Sequence, residues 1–156
     1  MPRKMPSTES PPATATVALF EGIWGPDPIF IEKRGGFSAY CPYASGYPFE
    51  VILSSLHERG DIDTLKEEQI GEIAALLIST LQRLKRQLGV FHFNLWISTP
   101  SLIPNEGIDS VDVDRFAIRI MPRLYRHGGF EQTSGILINP VTPELAAKLL
   151  REKSHE

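Results

Sequence analysis

The sequence predicts an α+β fold in which an antiparallel sheet packs against one long helix, with a short helix near the C-terminal end. Two observations carry this. The short β-prone runs come in two groups of three rather than alternating with helices, and a single stretch between the groups has helical periodicity.

Ile29 to Glu32 and Phe37 to Tyr40 are β-prone and are separated by Lys33-Arg34-Gly35-Gly36, whose glycines supply the positive φ of a hairpin turn. Phe49 to Ser54 forms a third run, after a Tyr43 to Tyr47 stretch that Pro42 and Pro48 confine to a loop. The long helix begins at Thr64, with Glu67 three residues on in the capping-box arrangement. Ile70, Ile73, Leu77, Leu81, Leu84 and Leu88 then recur at three- and four-residue spacing, and Gly89 supplies the stop.

Phe93 to Ser98 and Phe116 to Met121 alternate apolar with other residues, as half-buried strands do. The Thr99 to Asp114 stretch between them reads as a long surface loop. Ile136 to Ile138 is expected as a last strand, and Thr142-Pro143-Glu144 opens the short helix with Thr as cap and Pro at its first position. Residues 1–16, rich in Pro, Ser, Thr and Ala without periodicity, are expected to be disordered, leaving 17–153 as a single domain.

Composition narrows the function. A net charge of −3 disfavours nucleic acid as a partner, since such surfaces are basic. No apolar run reaches the roughly 20 residues that span a bilayer, so no membrane partner is expected. Cys41 is the only cysteine, which excludes an intrachain disulfide and fits a cytoplasmic protein. Four scattered histidines and one cysteine give no zinc-ligand spacing, so neither metal nor other cofactor is expected.

Several motifs add a resemblance. Ala39-Tyr40-Cys41-Pro42-Tyr43-Ala44-Ser45-Gly46-Tyr47-Pro48-Phe49-Glu50-Val51, Phe93-Asn94-Leu95-Trp96, Ile118-Arg119-Ile120-Met121-Pro122-Arg123-Leu124, Gly128-Gly129-Phe130-Glu131 and Gly135-Ile136-Leu137-Ile138-Asn139-Pro140-Val141-Thr142-Pro143-Glu144 occur in this order. They resemble segments of the C-terminal, histidine-triad-like (HIT-like) half of the galactose-1-phosphate uridylyltransferase family and its ADP-glucose phosphorylase-like relatives. The resemblance implies a HIT-like sheet and a nucleotidyltransferase setting in nucleotide-sugar and carbohydrate metabolism. It also implies a dimer, or pairing with a second half.

The same resemblance points away from catalysis by this chain alone. The family's nucleophile lies in a His-Pro-His motif of the N-terminal half, and no His-Pro-His occurs here. Nucleotidyl transfer through a covalent intermediate requires that imidazole. Where relatives carry a His-x-His and a further His on neighbouring strands, this sequence has Ala117, Arg119 and Ser98. No catalytic residue is therefore assigned, and Cys41 has no motif that would activate it.

Arg115, Arg119, Arg123, Arg126 and His127 form the densest basic run. Planar guanidinium groups suit phosphate, so Arg119, Arg123 and Arg126 are candidate ligands for a nucleotide or sugar phosphate. The competing reading is a solvated face paired with acidic residues between Asp109 and Asp114. Gln132 and Gly135 are candidates by their position in the family's glycine-rich loop. His57 corresponds to a family position without its flanking Pro and Lys, and reads as a surface residue. Trp24, Trp96, Phe49 and Phe93 read as core or interface aromatics.

The expected function is thus a non-catalytic domain that binds a nucleotide or sugar phosphate, or that completes an enzyme with a separate catalytic half. The alternatives are an active nucleotidyltransferase or phosphorylase, and a pure assembly module.

Overall fold

The computed structural model describes residues 29–55, 62–99, 116–126 and 128–154. The 1–16 segment, Trp24, His57, most of the expected 99–114 loop, Arg115 and His127 lie outside them.

Five strands form one sheet: β1 (Phe30–Arg34), β2 (Phe37–Tyr40), β3 (Val51–Ser55), β4 (His92–Ser98) and β5 (Ala117–Arg123). Their order is β1-β2-β3-β5-β4, and every neighbouring pair is antiparallel. The helices are α1 (Glu67–Leu88), α2 (Gly129–Ser134) and α3 (Pro143–Glu152), with a 3-10 turn at Ile62–Thr64.

The first hairpin is tighter than the composition suggests. Arg34 pairs with Phe37, so β1 continues through Lys33-Arg34 and only Gly35 and Gly36 turn the chain. Gly35 has φ +54°, and a Cβ there would stand 2.0 Å from the Glu72 carboxylate carbon. Glu72 in turn accepts a hydrogen bond from Gly36 N. Position 35 thus favours glycine for its left-handed conformation, and any side chain there would also have to displace the Glu72 carboxylate.

Helix α1 starts two residues later than expected, at Glu67, with Lys66 rather than Thr64 as N-cap. The reciprocal side-chain contact is real but shifted: Gln69 Oε1 accepts from the Lys66 N–H at 2.9 Å, the part the sequence assigned to Glu67. The preceding 3-10 turn consumes Thr64, which removes it as cap. The buried stripe is Ile73, Leu76, Thr80 and Leu84, whereas Ile70 is exposed. Thr80 escapes an apolarity count because its hydroxyl donates to the Leu76 carbonyl at 2.8 Å and is satisfied within the helix.

This stripe packs with Ile31, Phe37, Ala39, Val51, Leu53, Ile118, Ile120, Ala146, Ala147 and Leu150 in one core between α1, α3 and a sheet face. Thr142 caps α3 as expected, accepting from Leu145 N, and Pro143 opens it. Pro122 lies within β5 but beyond Ile120, the partner of β3's first residue, Val51. No β3 carbonyl there awaits its missing N–H.

Two strand expectations change. Ile136–Ile138 does not join the sheet; α2 takes up Gly129–Ser134, and the 136–138 backbone is held by side chains instead. Strand β4 is not half-buried: all seven of its residues are exposed. Being outermost, it extends past the area that α1 covers, since α1 packs chiefly against β1, β2 and β3.

Candidate functional site

The sheet face away from α1 carries polar side chains from β2, β3, β4 and β5. Cross-strand register aligns Tyr40, Ile52, Arg119 and Trp96 in one row, and Ser38, Ser54, Ala117 and Ser98 in the next. Ala117 and Ser98 of the second row, with Arg119 of the first, are the positions where the resemblance implies histidines. A hydroxyl, a methyl and a guanidinium there do not make a transition-metal donor set. Among the described residues no group of three or more His, Cys, Asp or Glu side chains converges.

Arg119 is occupied on two sides. Its guanidinium lies 5.8 Å from the centre of the Trp96 ring, and Nη1 is 3.4 Å from Glu50 Oε1. Glu50 is only 3% exposed, so its charge needs that counter-ion and further donors. Gly46 N and Tyr47 N supply them, donating to Oε2 at 2.9 and 3.2 Å.

The turn that aims Glu50 back at this loop rests on Phe49, the one non-glycine residue with positive φ (+58°) among the described residues. The conformation is costly for a bulky residue, and burial of the ring in the core offsets it.

Four residues further along β5, about 13 Å away on the same face, Arg123 lines a cleft of about 640 Å³. Tyr47, Asn94, Tyr125, Arg126 and Gln132 complete it. A second cleft of about 420 Å³ lies beside it, lined by His92, Arg123, Leu124, Tyr125 and Arg126. Of the residues singled out from sequence, Arg123, Arg126 and Gln132 therefore come together. Arg119 is not on either wall, and Gly135 is the left-handed residue (φ +71°) that ends α2.

Tyr47, Asn94, Tyr125 and His92 were not anticipated. Asn94 had only its place on the polar side of an alternating strand as a signal. His92 is cross-strand partner to Arg123 and the one histidine among the described residues. Among the described residues, no carboxylate lines either cleft and neither Arg123 nor Arg126 forms an ion pair.

Tyr125 is anchored by donating its hydroxyl to the Ile138 carbonyl at 2.6 Å. Burial pushes its phenol above the ordinary value, and the Glu131 carboxylate and Tyr47 add to that, so it remains a neutral donor at physiological pH. Glu131 holds the other end of the segment, accepting from Gly128 N at 2.7 Å and from Ile138 N at 3.3 Å. Cys41 lies in the core, where burial first, then the Glu50 and Glu144 carboxylates, push its thiol up to about 12 against the opposing pull of Arg151.

An antiparallel sheet on one long helix, with this polar face opposite the helix, defines a HIT-like α+β domain. A zinc-bound histidine triad family protein from Mycobacterium smegmatis shares that fold at TM-score 0.56 and 15% identity, over 90% of this chain and 91% of that one.

The galactose-1-phosphate uridylyltransferase-like proteins are nearer still. A GalT-like protein from Arabidopsis thaliana superposes at TM-score 0.77 with 29% identity, covering 89% of this chain and 45% of its own. A curated Arabidopsis thaliana ADP-glucose phosphorylase is 32% identical over 124 residues, 80% of this chain and 35% of that protein. A crystal structure of an ADP-glucose phosphorylase from the same plant, with bound ADP-glucose, gives TM-score 0.73 and 31% identity over 80% of this chain and 39% of that one. The chain thus spans less than half the length of these relatives. No family model matches it. In sequence and in fold, this chain resembles a HIT-like domain of the galactose-1-phosphate uridylyltransferase family.

Proposed function

We propose that residues 17–153 form a single cytoplasmic domain that binds a nucleotide or sugar phosphate at Arg123 and Arg126, without catalysing nucleotidyl transfer alone. The observation that carries this reading is a cleft whose described lining residues supply two guanidinium groups, two phenols and two carboxamides and no carboxylate. Guanidinium forks neutralise and orient phosphate oxygens, while amides and phenols suit a hydroxylated or heteroaromatic remainder. The likeness to proteins named as ADP-glucose phosphorylase, one of them with bound ADP-glucose, supports this ligand class. Catalysis falls to a separate half that this domain would complete.

Thermal shift with glucose 1-phosphate, ADP-glucose, UDP-glucose and UTP tests it, because a ligand that binds only the folded state raises stability by about 2.7 kcal/mol at a hundredfold excess over Kd. A shift lost in Arg123→Ala and Arg126→Ala supports the reading. No shift with any of the four sinks it. Exchange of label between UDP-glucose and a hexose 1-phosphate by the pure chain would instead show an enzyme in its own right.

A second reading, an assembly module forming a homodimer or docking a partner half, is favoured by the uncovered strand β4. Light scattering at micromolar concentration distinguishes the two, since an obligate assembly module would not be monomeric there.

A further inference from the structure

We propose that Glu50 and Asn139 are positioning residues of the arginine cleft, acting through Tyr47, and that Arg119 serves the same end by neutralising Glu50. This rests on the reading of that cleft as a phosphate site.

Tyr47 lies in the loop between β2 and β3 and forms one wall of the cleft. No ladder holds its backbone. A turn hydrogen bond from Glu50 N to the Tyr47 carbonyl at 3.2 Å holds it locally, and two side chains reinforce it. The Tyr47 N–H donates to Glu50 Oε2 at 3.2 Å, beside the Gly46 N–H at 2.9 Å. The Tyr47 carbonyl accepts from Asn139 Nδ2 at 3.2 Å, and the same amide group reaches the Ser45 carbonyl at 3.2 Å. Asn139 is itself fixed, because its Oδ1 accepts from Val141 N at 3.0 Å, just ahead of α3.

Both polar groups of the Tyr47 backbone are thereby held, the N–H by the Glu50 side chain just ahead of β3, and the carbonyl by Glu50 N and by Asn139 from the segment after α2. The opposite wall hangs from that same segment: Ile138, next to Asn139, receives the Tyr125 hydroxyl and donates to Glu131. Asn139 therefore sets the spacing of Tyr47 from Tyr125. Gly46 allows the close approach, since a Cβ there would stand 2.7 Å from Leu137 Cδ1.

Glu50 faces the complementary problem. A buried carboxylate without a counter-charge is costly to keep out of water, and its hold on two amides would weaken. Arg119 prevents this from the row below, and Trp96 keeps that guanidinium over the sheet. A residue chosen from sequence as a phosphate ligand thus has its charge committed to the loop. The motif positions Glu50 and Asn139, lying 89 residues apart by their numbers, meet at one loop.

Amide hydrogen exchange and binding of glucose 1-phosphate by the full chain test the proposal on Glu50→Gln, Asn139→Ala and Tyr47→Phe. Asn139→Ala removes three hydrogen bonds, two of them to the loop, and is expected to speed exchange at Gly46 and Tyr47 about tenfold, with core amides such as Leu53 and Ile120 unchanged. Its affinity should fall about tenfold in parallel. Glu50→Gln should do the same, whereas Tyr47→Phe should leave exchange as in wild type while altering affinity only.

Exchange at Gly46 and Tyr47 within twofold of wild type in both Glu50→Gln and Asn139→Ala overturns the proposal, as does faster exchange with undiminished binding. If wild type binds no probe, the phosphate reading fails, and so does a role for these residues in binding; the exchange result then reports on the loop clamp alone.

Discussion

Arg83 on α1 reaches Glu32 on β1 with Nη2 2.9 Å from Oε2, while its Nη1 donates to the Leu150 and Arg151 carbonyls of α3 at 3.1 and 3.3 Å. One guanidinium thus joins three elements and neutralises the C-terminal end of α3. Ser79 donates to the same Glu32 oxygen at 2.6 Å. Arg83→Ala is expected to lower stability by about 1–3 kcal/mol, the range for removing hydrogen bonds to a charged, partly buried group, discounted for its residual solvent access. Urea unfolding of the two proteins measures it.

The pH dependence follows from the same cluster. Burial alone would raise the Glu32 carboxyl, but the Ser79 hydroxyl, Arg34 and Arg83 outweigh it and hold it below the ordinary value. A group lowered on folding adds stability above its unfolded value, and loses that contribution as pH falls through the folded one. Wild type should therefore lose more stability than Glu32→Gln as pH falls from about 5 through the carboxylate range near 4.3 and below. Parallel melting curves across that interval would expose the idea as wrong.

Binding at Arg123 and Arg126 is expected to weaken with salt, because both guanidinium groups lie in open clefts. Arg126→Gln should cut affinity for glucose 1-phosphate about tenfold or more and flatten the salt dependence. Calorimetric titrations at low and physiological ionic strength read both effects.

Cys41 should resist thiol reagents in the native protein. Its thiolate is scarcely populated with the thiol pushed up to about 12, and the side chain is shut in the core. A colorimetric disulfide reagent at pH 8 should label it only after denaturant is added, and prompt labelling of folded protein would contradict the burial.

The cap of α3 offers a local test. Thr142→Ala removes the acceptor of the Leu145 N–H and should cost about 0.5–2 kcal/mol. Thr142→Ser should keep most of it.

The element types that pattern alone identifies most directly are those with strong periodicity or strong punctuation: the 22-residue α1, the Gly35-Gly36 hairpin and the Thr142-Pro143 start of α3. Misreadings occurred where tertiary partners decide. Leu76 and Thr80 are buried because α1 rotates to seat them, which a count of apolar spacings centred on Leu77 and Leu81 does not reveal. Ile136–Ile138 has strand composition, yet Tyr125 and Glu131 take its backbone groups before a ladder can.

The cleft was legible as far as charge was concerned, which is how Arg123 and Arg126 were found. Tyr47 and Asn94 reach the cleft from elements far apart in sequence, and only the loop geometry brings them there. Arg119 illustrates the converse: its residue type suggested phosphate, and a buried carboxylate 69 positions earlier had already engaged it.

Strand β4 carries one more implication. Its sequence, His-Phe-Asn-Leu-Trp-Ile-Ser, holds no Lys, Arg, Asp, Glu or Pro, and it forms a border of the sheet. Those are the residues by which sheet borders ordinarily discourage adhesion between molecules. At high concentration this segment is therefore where the folded chain would begin to self-associate into fibrils, and a single lysine at Leu95 is the simplest guard against it.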